Sequence, residues 1–143
     1  MKNKILSQFL SIGLFILIIA PLNAQTITKK PIYEGVQSLS IIESGQRIGF
    51  LYQDSDYTTI VAIESFYLNS KSDAIKLIEK AIAMLKMEKT DKDQNIEDYF
   101  NGLRLVRYGF MQKKICIFNE DRKDLTLNLK TLEKIKIAIE EYK

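Results

Sequence analysis

Between Ser70 and Lys89 apolar residues return every three or four positions, with Ile75, Ile78, Ile82 and Leu85 in one row and Ala74, Leu77, Ala81 and Met84 beside it. That spacing predicts an amphipathic helix with a wide buried face. Ser70 followed by Asp73 predicts its N-terminal cap, in a form weaker than Ser-x-x-Glu because the Asp side chain is shorter. A second helix is predicted from near Lys130 onward, carrying Leu132, Ile135, Ile139 and Tyr142 on one stripe.

Runs rich in β-branched and aromatic residues predict strands at Val36–Glu43, Arg47–Gln53, Tyr57–Leu68, Leu103–Phe110, Lys114–Asn119 and Leu125–Leu129. Ser44-Gly45-Gln46 reads as a hairpin turn, and Asp54-Ser55-Asp56 and Glu120–Asp124 as polar connections of hairpin length, so sequential antiparallel pairing is expected. Leu125, Leu127 and Leu129 alternate with Thr126 and Asn128, the pattern of a half-buried strand. The polar stretch Thr90–Asp98 reads as a link, with Tyr99 and Phe100 anchoring it to the core.

The two halves also correspond loosely, each running strand, strand, strand, helix. Ile48–Asp54 lies over Ile115–Asp121 and Leu68–Lys71 over Leu127–Lys130. On the helices, Ile75, Ile78, Ala81, Ile82 and Leu85 lie over Leu132, Ile135, Ala138, Ile139 and Tyr142 at one constant offset. The expectation is one α+β domain over 36–143, a single two-layer unit. A mainly antiparallel sheet of five or six strands would carry two helices on one face, built from pseudo-duplicated βββα units. Halves of this size would be marginal alone.

The N-terminal segment 1–24 departs from this pattern. Lys2 and Lys4 precede the apolar stretch Phe9–Ala20, and Pro21-Leu22-Asn23-Ala24-Gln25 follows, an arrangement that resembles a bacterial Sec signal. The resemblance implies cleavage between Ala24 and Gln25, although Leu22 is larger than the ideal residue three before the cut. It implies export to the periplasm or beyond, with no membrane attachment after cleavage, since the apolar stretch is shorter than the roughly 20 residues of a bilayer-spanning helix. No cysteine follows the cut to carry a lipid. Residues 25–35, with Pro31 and Gly35, read as an extended lead-in.

Composition narrows the chemistry. The 143 residues are 46% hydrophobic and 27% charged, with 6 Gly and 2 Pro, which excludes a disordered or collagen-like chain. There is no histidine, so no Ser/His/Asp or Cys/His nucleophile pair and no HExxH zinc site exists in the chain. The formal charge of +3 is misleading: segment 1–24 holds two of the 21 cations and none of the 18 acids, leaving 19 against 18. A near-neutral chain with interspersed charges gives no support for a nucleic-acid partner.

Each remaining constellation has an ordinary reading beside a functional one. Asp91, Asp93, Asn95 and Glu97 alternate as in a calcium loop, but Ile96 and Gly102 stand where an EF-hand needs Gly and a bidentate Glu, so no metal is expected. Asp54, Asp56 and Glu64 could pair as catalytic carboxylates, yet Asp-Ser-Asp is common turn chemistry, and no catalytic residue is assigned. Cys116, flanked by Ile115, Ile117 and Phe118, reads as a buried thiol, with an intermolecular disulfide as its functional alternative. Arg104, Arg107, Lys113 and Lys114 lie near Tyr108 and Phe110. The two arginines have opposite strand parity, and solvated edge charges are the expected reading. No Gly-rich phosphate loop is present and no cofactor is expected.

With two helices on one face, the other sheet face must accommodate part of Phe50, Tyr52, Ile60, Ile63, Phe66, Tyr67, Val106, Tyr108, Ile117 and Phe118. Such a face suits a protein partner or a homodimer contact. The expected function is that of a small exported envelope protein, a non-catalytic protein-binding or accessory module. The alternatives are a carrier of a small apolar ligand between sheet and helices, lined by Ile75, Ile78, Ile135 and Ile139, or a histidine-free enzyme using carboxylates.

Overall fold

Four strands precede each of the two helices. A computed structural model of the chain describes residues 27–33, 39–53, 63–120 and 124–142. The elements are β1 (Ile27–Tyr33), β2 (Leu39–Ser44), β3 (Arg47–Gln53), β4 (Ile63–Leu68), α1 (Lys71–Lys86), β5 (Ile96–Phe100), β6 (Leu103–Arg107), a short 3-10 turn (Gly109–Met111), β7 (Lys114–Phe118), β8 (Asp124–Asn128) and α2 (Leu129–Glu140). The Ala24–Gln25 cleavage position, Asp54, Asp56 and Ile60 lie outside the described residues. No helix among the described residues is long and apolar enough to cross a membrane.

The protein is α+β with antiparallel pairing and two helices. The single sheet of five or six strands is corrected to two separate four-stranded meanders, β1-β2-β3-β4 and β5-β6-β7-β8. The two extra strands are edge strands whose apolar residues do not alternate regularly with polar ones. β1 reads Ile-Thr-Lys-Lys-Pro-Ile-Tyr over the segment expected only to be extended, and its Pro31 is tolerated because an edge strand leaves one side unpaired. β5 reads Ile-Glu-Asp-Tyr-Phe over the end of the expected link and the two residues expected to anchor it, of which Phe100 packs on the core and Tyr99 faces outward; it folds back through Asn101 (φ 47°) and Gly102 (φ 82°). An Asn-Gly pair adopts these left-handed values readily, which suits a two-residue hairpin. The β2–β3 hairpin turns on Gly45 (φ 61°), as Ser44-Gly45-Gln46 predicts.

The helices run antiparallel. Lys71 at the start of α1 donates to the Glu140 carbonyl at the end of α2 across 2.9 Å, and Lys136 meets Glu79 at 2.7 Å between them. Each sheet touches both helices: β3, β4, β6 and β7 reach α1, while β1, β2 and β8 reach α2. The edge strands cross over to the helix of the opposite half, Lys30 pairing with Glu141 and Asp98 with Lys80 at 2.6 Å.

One hydrophobic cluster draws on both sheets and both helices, including Ile41, Phe50, Leu77, Ile78, Leu105, Ile117, Ile135 and Ile139. Phe50 stacks on its cross-strand partner Phe66 with ring centroids 4.7 Å apart, and Tyr52 meets Phe66 edge-on. Aromatic pairs in these geometries add to simple area burial. Both caps use side-chain oxygens, Ser70 accepting from the Asp73 amide at 3.0 Å and Asn128 from the Thr131 amide at 2.9 Å.

Candidate functional site

Arg107 ends β6, and its surroundings follow from strand parity. Leu103, Leu105 and Arg107 share the inward face, so the guanidinium enters the protein beside the core. It meets the end of α1, where helix carbonyls lack intrahelical partners. Nη1 donates to the Met87 carbonyl at 2.9 Å and Nη2 to the Glu88 carbonyl at 2.7 Å. Arg107 is only 1% exposed, which corrects the expectation of a solvated edge charge. A cation here complements the negative end of the helix dipole. Its Nε–H has no hydrogen-bond partner among the described residues.

The residues after β6 close over the loop before β5. The Gly109 amide donates to Asn95 Oδ1 at 3.2 Å, and Gln112 Nε2 donates to the Thr90 carbonyl at 2.6 Å. Gly109 is required by space: a Cβ there would stand 2.2 Å from the Asp91 carbonyl oxygen and 2.5 Å from that of Gln94. Gln112 Oε1 is buried without a partner among the described residues. The start of α2 completes a cleft of about 460 Å3, with Leu85, Met87 and Leu129 as apolar walls and Lys89, Lys113 and Lys130 as exposed cations. That volume lies in the range of small-molecule sites.

A second surface lies on the face of β5–β8 turned away from the core. Tyr99, Arg104, Phe118 and Asp124 form one row in register across the four strands. The Arg104 guanidinium lies 4.8 Å from the Phe118 ring centroid and 3.5 Å from Glu97. The next row holds Val106, Cys116 and Thr126; Cys116 Sγ is 3.3 Å from Thr126 Oγ1, whose hydroxyl donates to Asp124 at 2.8 Å. Cys116 is buried, and that burial pushes its thiol pKa up. Tyr108 stacks on Phe110 at 5.2 Å, and burial raises its phenol as well. Phe110, expected in a strand, sits in the 3-10 turn and is 72% exposed; Tyr99 is 63% exposed.

The other anticipated residues are dispersed. Glu64 lies on β4 opposite Tyr52, and its prospective partners Asp54 and Asp56 fall outside the described residues. Asp91 and Asp93 are exposed, Asn95 holds Gly109, and Glu97 meets Arg104. Among the described residues no three His, Cys, Asp or Glu side chains gather as metal ligands. Phe50, Tyr52, Phe66 and Ile117 face the core, whereas Ile63 and Tyr67 face outward on the first sheet, with Tyr67 lying over Gly49. Ile78, Ile135 and Ile139 are fully buried core, and Ile75 packs against them. Lys114, at the start of β7, is exposed, while Lys113 lines the cleft.

Sequence reasoning passed over Gln112, Lys89 and Lys130 as members of one site. The available signal was the shared parity of Arg107 with Leu103 and Leu105, which already turned that cation inward. Comparison with known protein families, curated proteins and solved structures finds no match to this chain.

Proposed function

We propose that the chain is a non-catalytic binding module exported to the cell envelope, and that it engages another protein through the outer face of β5–β8. The observation that carries this reading is the set of Tyr99, Arg104 and Phe118 on one sheet face, with Phe110 exposed in the adjoining 3-10 turn, where it stacks on Tyr108. Exposed aromatics around an arginine already laid over a ring are the residue types that dominate protein interfaces, because they bury large area at small entropic cost. Val106 and Cys116, in the adjoining row of that face, are buried.

The test is crosslinking of C-terminally tagged protein in its native envelope, followed by mass spectrometry of what the tag retains. A stoichiometric partner lost in the Tyr99→Ala, Phe110→Ala double variant supports the reading, and a second copy of the chain would make it a homodimer contact. No partner for the wild type, or the same partner retained by the double variant, overturns it. Mass spectrometry of the tagged chain also tests export, since a cut protein begins at Gln25.

A further inference from the structure

We propose that the cleft at the junction of α1, the 3-10 turn and α2 binds a small apolar molecule carrying a carboxylate next to an amide N–H, the chemistry of an N-acylated amino acid. Arg107 is a buried cation that, among the described residues, bonds only to the Met87 and Glu88 carbonyls and pairs with no carboxylate. A buried charge without a counter-charge is costly, and a buried N–H without an acceptor adds to that cost. Lys89, Lys113 and Lys130 share the cleft, and among the described residues no acid lines it. The site therefore selects an anion.

The second orphan defines the neighbouring group. Gln112 Nε2 is committed to Thr90, which leaves Oε1, buried in the wall of the cleft, as an acceptor that needs a donor. A ligand satisfying both atoms presents a carboxylate oxygen to Arg107 Nε–H and an N–H to Gln112 Oε1. An N-acyl amino acid carries that pair on one carbon. Leu85, Met87 and Leu129 supply an apolar wall for the acyl chain. The C-terminal residue of a peptide shares this headgroup; the cleft volume favours the small molecule.

The test titrates N-decanoylglycine into the purified protein, followed by NMR at the Arg107 Nε–H and the Gln112 side-chain amide. Decanoate, which lacks the amide, and N-decanoylglycine amide, which lacks the charge, are run beside it. Saturable shifts at both groups are expected, with the neutral compound binding about tenfold more weakly. Gln112→Leu should weaken N-decanoylglycine about tenfold and leave decanoate unchanged, whereas Lys113→Glu with Lys130→Glu should weaken both acids. Both lysines are exposed, so the charge-reversed variant keeps the fold.

Absence of saturable shifts up to about 10 mM, or equal binding of the neutral compound, overturns the proposal. If acetyl-Leu-Leu-Leu with a free carboxylate binds more tightly than N-decanoylglycine, the occupant is a polypeptide end and the small-molecule assignment fails. No protein partner enters this titration, so its failure is distinct from failure of the sheet-face reading.

Discussion

The phenol of Tyr142 donates its hydrogen to the backbone carbonyl of Ile41 across 3.1 Å, in a buried position that ties the residues after α2 to the second strand of the chain. Tyr142 is 8% exposed, and the Lys71 ammonium also donates to its carbonyl. Tyr142→Phe keeps the ring and loses the hydrogen bond, for an expected cost of about 1 kcal/mol. Tyr142→Ala leaves a cavity in the common core and should cost about 3–5 kcal/mol. Urea unfolding checks both. Equal stability of the Phe variant and the wild type would show that the bond contributes nothing net.

Arg107 is expected to be far more sensitive than an ordinary strand-end cation. Its fork spans two carbonyls, a geometry that a lysine ammonium cannot reproduce from a single point charge. Arg107→Lys should therefore cost about 2–4 kcal/mol and speed amide exchange through the last turn of α1. A variant within about 0.5 kcal/mol of wild type would refute the clamp.

Much of this fold was legible because local pattern and cross-strand pairing agree. Laying Ile48 over Ile115 and Leu68 over Leu127 aligns residues that are cross-strand partners within each half, Ile48 with Leu68 and Ile115 with Leu127. The helix alignment slips by one position. The caps Ser70 and Asn128 correspond, and the buried matches are Ala74 with Leu132, Leu77 with Ile135, Ala81 with Ile139 and Met84 with Tyr142. Side-chain size misled the pattern: Ala74 and Ala81 are small yet deep, while the larger Ile75 and Ile82 are only half-buried. The division into two sheets was not legible, because hydrophobic period reports which face of a strand is buried and carries nothing about which hairpins share an edge. The cleft was hidden for a similar reason, since it joins Leu85, Arg107 and Leu129 from three distant elements.

Two glycines should fail for different reasons. Gly109→Ala drives a methyl group into the carbonyl oxygens of Asp91, Gln94 and Lys92, all within 2.6 Å of its position, and backbone cannot give way cheaply. The expected loss is about 2–3 kcal/mol, with a lower urea midpoint and unchanged slope. At Gly102 nothing lies within 4 Å, and the constraint is its φ of +82°. Gly102→Ala should cost about 1 kcal/mol. A Gly102 variant hurt as badly as the Gly109 variant would contradict this separation of steric from conformational cost.

Stability should fall on the alkaline side in two stages. Burial raises the Cys116 thiol and the Tyr108 and Tyr142 phenols above their ordinary values, so the folded protein holds these protons to higher pH than the unfolded chain does. Where the unfolded state binds fewer protons, stability decreases as pH rises. The decline begins near the ordinary thiol range, about pH 8.5, and steepens near about pH 10 as unfolded tyrosines ionise. With no histidine in the chain, no side chain with an ordinary pKa titrates between about pH 6 and 8, and a plateau is expected there. Cys116→Val removes the thiol while Thr126 keeps its bond to Asp124, so the variant should stay flat to about pH 9.5 and then join the wild-type slope. Urea midpoints measured across this range decide it: identical declines in wild type and variant between about pH 8.5 and 9.5 would mean that the buried thiol is not the first group to couple ionisation to folding.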